Sequence, residues 1–124
     1  QPVFTGNQFV PAEREHDRDV LRALQKAQYK LRRHDVRMAV KKVLFDLPTK
    51  RGSARPDFLI ALLDERTGVK MKIPLQILQS NDPDYLELRR AEQDHLEEIG
   101  PVLSMTIDQA EAGAITEAMK QMLQ

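Results

Sequence analysis

Asp57 stands directly after Pro56 at the head of an apolar run, Phe58–Leu63 (FLIALL), and Gln76 stands late in an alternating run, Val69–Leu78 (VKMKIPLQIL). The intervening Asp64–Gly68 has the composition of a hairpin loop, so the two runs are expected to pair as antiparallel strands. In that pairing, an acid at the mouth of one strand and a polar residue late in its neighbour can face the same side. Oxygen donors so placed can help to hold a hard divalent cation. A cation there can activate water and stabilise charge on a phosphodiester. Asp57 is the candidate metal ligand. Plainer readings stand beside these: Asp57 as a turn residue, and Gln76 as a polar side chain on a partly exposed strand face.

Basic residues form the second candidate group. Lys41, Lys42, Lys50, Arg51 and Arg55 gather around one strand and its following loop, and Arg89 and Arg90 lie on a later helix. They suit a phosphate backbone and equally suit a solvated face. Across the 124 residues, 19 Lys and Arg balance 19 Asp and Glu, so a grip on nucleic acid through global positive charge is excluded. The absence of cysteine excludes disulfides, thiolate nucleophiles and cysteine-based metal sites. His16, His34 and His95 show no metal-ligand spacing, and phosphate-binding glycine loops of the GxGxxG or GxxxxGK[ST] type are missing. No apolar run reaches a membrane span, so no membrane association and a cytoplasmic location are the expectation. A start at Gln1 rather than Met is read as a processed product or a piece of a larger protein.

The elements that must position these residues follow from periodicity. Residues 1–11 read as a lead-in arm and 12–124 as a single domain. Val20, Leu24, Ala27 and Leu31 mark one stripe of a helix over 12–33. Arg37–Phe45 is β-rich and ends in a turn-rich stretch, Leu47–Arg55. Phe58–Leu63 is expected to be buried on both faces, and Pro74 to mark a bulge or an edge. Asp82 and Pro83 open a helix that stops at Gly100-Pro101. Pro101–Met105 is a short strand, and Thr106 with Gln109 caps a last helix. The order α-β-β-β-α-β-α predicts an α+β fold with one mixed sheet flanked by helices.

This order, with Pro56-Asp57 at the start of the second strand and Leu75-Gln76-Ile77-Leu78 on the third, resembles the core of the PD-(D/E)XK, restriction-endonuclease-like nuclease superfamily. Within it, LFD…GSARPDFLI…IPLQIL…DPDYLELRR is similar to an uncharacterised group from conjugative and integrative elements. The resemblance implies a metal-dependent DNA nuclease whose site here is degenerate. Gln76 stands where an acid is expected and Leu78 where a lysine is expected. Lys72 shares a face with Gln76 but lies about 13 Å along the strand. Arg89 or Arg90 could clamp a phosphate but, staying protonated, could not act as a base. The resemblance thus implies relic positions at Asp57 and Gln76, a helper acid at Glu13 or Asp17 on the opening helix, no cofactor or a weakly held Mg2+, little or no cleavage, and DNA as a partner. A non-catalytic module binding a protein partner or a second copy is the alternative.

Overall fold

Val20, Leu24, Ala27 and Leu31 are almost fully buried, and they define the inner stripe of α1 (Glu13–Arg32). The computed structural model describes residues 3–4, 7–8, 13–50 and 52–124, with side chains from Asp17 onward except at 51 and 53. In the expected lead-in arm, β1 (Val3–Phe4) pairs antiparallel with β2 (Asn7–Gln8). After α1 the chain turns through Asp35, whose φ of 63° lies in the left-handed region that Asp tolerates. It then enters β3 (Val36–Lys42). This strand ends earlier than the sequence suggests: Leu44 and Phe45 are 65% and 78% exposed. The turn-rich stretch that follows forms a small hairpin of β4 (Leu47–Thr49) and β5 (Gly52–Ala54).

β6 (Phe58–Asp64) and β7 (Lys70–Leu78) form the expected antiparallel hairpin. Asp64 closes it. Its buried carboxylate accepts the Arg66 backbone N–H at 3.0 Å and faces the Arg66 guanidinium at 3.4 Å. Those hydrogen bonds, the backbone one first, hold the Asp64 carboxyl below its ordinary range against the opposing effect of burial. β8 (Leu103–Thr106) joins parallel to β7, giving a mixed sheet in the order β3-β6-β7-β8. α2 (Pro83–Leu96) makes the connection, capped by the Asp82 side chain with Pro83 in its first turn. The last helix is two helices. The Thr106–Gln109 capping box opens α3 (Ile107–Glu111), and Gly113, at φ 97°, breaks the chain before α4 (Ala114–Met122).

Register decides the layers. Met38, Leu62 and Met71 share one face with Val40, Ile60 and Ile73, and α1, α3 and α4 cover that face in a single core. The opposite face carries the rows Arg37–Leu63–Lys70 and Ala39–Ala61–Lys72, then Gln76 beside Ser104. β6 is therefore not buried on both faces. Phe58, Ile60 and Leu62 are inside, whereas Ala61 is exposed and Leu59 and Leu63 are half-buried. The physical reason is that α2 covers only the Gln76 end of this second face. Pro74 pairs with Leu59 in an unbroken register, with no bulge. The β8 ladder begins only at Leu75, so the missing N–H of Pro74 precedes the second partner. Gly100 does not end α2, which stops at Leu96. It lies instead against the Lys72 carbonyl, where an added Cβ would collide with the oxygen.

Candidate functional site

Asp57 sits one residue before β6, between both neighbouring strands. Its N–H donates to the Leu75 carbonyl at 2.9 Å, and its carbonyl accepts from Val43 N–H at 3.3 Å. The backbone thus fixes the side chain on the face that also carries Gln76. Asp57 Oδ2 accepts the Ile77 N–H at 2.7 Å and a 2.6 Å charge-assisted bond from Arg89 Nη2. Gln76 is 1% exposed. Its Oε1 accepts from the Ser104 hydroxyl at 3.0 Å, and its Nε2 donates to the Arg89 backbone carbonyl at 3.3 Å. Gln93 Nε2 in turn donates to Ser104 Oγ at 3.1 Å.

Arg89 is the hinge of this arrangement. Its guanidinium takes Asp57 and its carbonyl takes Gln76, so one helical residue binds both strand positions. The side chains of Arg89 and Asp57 are 16% and 26% exposed. Arg89 Nη1 also approaches Glu92 Oε1 at 3.5 Å, while its buried Nε has no partner among the described residues. Tyr85 reaches back over the same strand end, its hydroxyl accepting the Gln79 N–H at 3.1 Å and facing the Ile77 carbonyl at 3.4 Å.

The other sequence candidates are dispersed. Lys42 belongs to the row with Phe58 and Leu75, on the face opposite Gln76. There its ammonium pairs with Asp17 at 2.9 Å and lies 5.0 Å from the Phe58 ring centre. Asp17, one of the two helper acids, is therefore engaged on the other side of the sheet from Gln76. The side chain of Glu13 and the whole of Arg51 lie outside the described residues. Lys41 is exposed on the second face, and the Lys50 N–H donates to Glu98 Oε1 at 2.8 Å, pinning the β4–β5 hairpin to the turn that follows α2. Arg55 reaches the Leu44 carbonyl at 3.3 Å, and Arg90 is exposed on α2. Leu78 is half-buried at the end of β7, without a charge to offer.

A hard divalent cation asks for about six oxygen ligands, several of them anionic. The donor set around Asp57 does not fit that demand. Among the described residues, Asp57 at the mouth of β6 is the carboxylate the sheet offers there, and the Arg89 guanidinium already pairs with it. Gln76 brings no charge, and its amide is committed on both sides. No cluster of three His, Cys, Asp or Glu side chains suited to a metal occurs among the described residues. What the geometry does well is join α2 to the sheet through a polar network.

Sequence reasoning grouped Asp57 and Gln76 with Arg89 or Arg90, of which the structure brings Arg89 to Asp57, but missed Ser104 and Gln93. Ser104 is the one hydroxyl in the apolar stretch Pro101–Met105, and Gln93 lies one turn after Arg89. Only the parallel register, with Gln76 opposite Ser104, makes them meaningful. A family model described as restriction endonuclease-like C-terminal domain matches residues 13–122. No curated protein and no solved structure matches the chain. The family match covers nearly all of the domain that carries the Asp57–Gln76–Arg89 arrangement, and the chain belongs to the restriction endonuclease-like C-terminal domain family.

Proposed function

We propose that this domain is a nuclease-like scaffold that has exchanged cation chemistry for an internal ion pair, and that it acts by binding rather than by cleaving. One observation carries the reading: the Arg89 guanidinium is 2.6 Å from Asp57 Oδ2, the same oxygen that accepts the Ile77 N–H. A cation at Asp57 would have to displace this guanidinium, and it would gain only one formal negative charge. Gln76 and Leu78 supply neither the second anionic ligand nor the ammonium that the superfamily pattern implies. The partner class that best suits the family is DNA, in the setting of mobile-element or DNA-processing machinery. Among the described residues, exposed Lys41, Lys50, Arg55 and Arg90 are candidates to meet phosphates.

The test is a nicking assay on supercoiled plasmid with Mg2+ or Mn2+, run beside a binding titration at several salt concentrations. The expected result is no divalent-dependent nicking, with any DNA affinity falling steeply as salt rises. Nicking that disappears in a folded Asp57→Asn variant would overturn the reading. A second reading, a protein-binding module, is favoured by the half of the second sheet face that α2 leaves bare.

A further inference from the structure

The bare half of that face is a groove of about 940 Å3 at the free edge of β3. Ala39 and Ala61 face each other across adjacent strands at its floor, beside Leu63 and the stems of Lys70 and Lys72. Gln28 Nε2 donates to the Met38 carbonyl at 2.8 Å on the β3 edge, which brings the polar flank of α1, with Gln25, Tyr29 and Arg32, to the rim. Arg32, Arg37, Lys70 and Lys72 line the groove, and no Asp or Glu does. Glu65, just outside, pairs with Arg37 at 3.1 Å. In a chain of zero net charge this concentration of cations is local and one-sided.

The complementary surface is on the same chain. The solvent stripe of α2 carries Asp84, Glu87, Leu88, Ala91 and Asp94, all exposed, with Leu88 at 68%; exposed Arg90 lies at its edge, so three carboxylates outweigh one guanidinium. It is an acidic helix face with a small apolar centre. Strand addition at the β3 edge is hindered because the Met38 carbonyl is already taken by Gln28. A helix, by contrast, can approach closely over the two alanines, as α2 itself does over the other half of this face.

We propose that a second copy of this chain occupies the groove, each copy seating the outer stripe of its α2 on the Ala39–Ala61 floor of the other. Groove and helix lie side by side on one sheet face. Two copies related by a two-fold axis therefore satisfy both grooves at once and close as a dimer. The result is a shared layer of two α2 helices between two sheets. Two bare grooves set against each other would repel, since both are cationic. This dimer does not depend on whether Asp57 can hold a cation.

Analytical ultracentrifugation of the full chain tests it, using a groove variant (Lys70→Glu with Lys72→Glu) and a helix variant (Glu87→Lys with Asp94→Lys). The wild type is expected to dimerise, and each variant to lose at least about tenfold in dimer affinity. Mixing the two variants places one reversed contact opposite its reversed complement and leaves the other contact wild type. The heterodimer is expected to form more tightly than either variant homodimer. A strictly monomeric wild type overturns the proposal, as does a dimer indifferent to both variants or a mixture showing no heterodimer preference. A groove that instead captures a single-stranded oligonucleotide, with loss in the Lys70/Lys72 variant and no effect of the helix variant, also overturns it. Circular dichroism on each variant confirms that the fold is retained.

Discussion

Replacing Arg89 by methionine keeps the aliphatic stem and removes the charge that holds Asp57. The pair is neither a surface contact nor a fully buried one, with side chains 16% and 26% exposed and a 2.6 Å contact. Exposed pairs contribute up to about 1 kcal/mol, whereas breaking a buried one costs roughly 3–5 kcal/mol. The intermediate burial places Arg89→Met at about 2 kcal/mol of lost stability. For a domain of this size that corresponds to roughly 8 °C in Tm. Asp57→Asn keeps an acceptor for the Ile77 N–H, so it removes the charge more selectively than alanine would. Urea unfolding of both single variants and the double variant then gives the coupling directly, expected at about 1.5 kcal/mol. Because the pair is largely shielded, most of that coupling should survive 1 M NaCl. A coupling below about 0.5 kcal/mol, or one abolished by salt, would refute the view that this ion pair ties α2 to the sheet.

Gly100→Ala should destabilise by roughly 1–3 kcal/mol, because the new methyl meets the Lys72 carbonyl and the β7 backbone must shift; thermal melts check it. Gln76→Glu replaces a buried donor to the Arg89 carbonyl with a carboxylate that cannot donate. Its deficit relative to wild type should grow as pH rises above about 4, where the unfolded glutamate ionises freely, and shrink on acidification; a Tm series across pH shows the sign. Asp64 contributes in the opposite sense, since its carboxyl is held below the ordinary range. The stability lost in Asp64→Asn should be full above about pH 4 and vanish as pH falls through the native carboxyl's own titration, read by urea melts at each pH.

The framework was legible because it is written in local periodicity. The Val20–Leu24–Ala27–Leu31 stripe, the Asp82-Pro83 start of α2 and the Thr106–Gln109 box each depend on neighbours within a turn or two, and each is where the sequence places it. The β4–β5 hairpin was hidden because Leu47–Arg55 carries turn residues with little alternation, and its docking depends on Glu98 and His95 of a distant segment. The half-bare face of β6 was hidden for a related reason: FLIALL reads as buried throughout, and only the reach of α2 decides which residues see water. At the candidate site, register put Asp57 and Gln76 together, as their spacing around Asp64–Gly68 suggests. Whether an arginine or a cation faces Asp57 depends on the angle at which α2 crosses the strands, which no local pattern encodes.

The mixed sheet divides the folding reaction in time. β6 and β7 close over a short turn and β3 joins them antiparallel across the segment that carries the β4–β5 hairpin, while β8 must wait for the whole of α2 to be laid down before it can pair in parallel. The early species would therefore expose the Leu75 and Ile77 edge as an unpaired strand, open to association with other chains. Amides of β6, flanked on both sides from the first step, should be the last to exchange with solvent, and those of β8 should exchange through a separate, shallower opening.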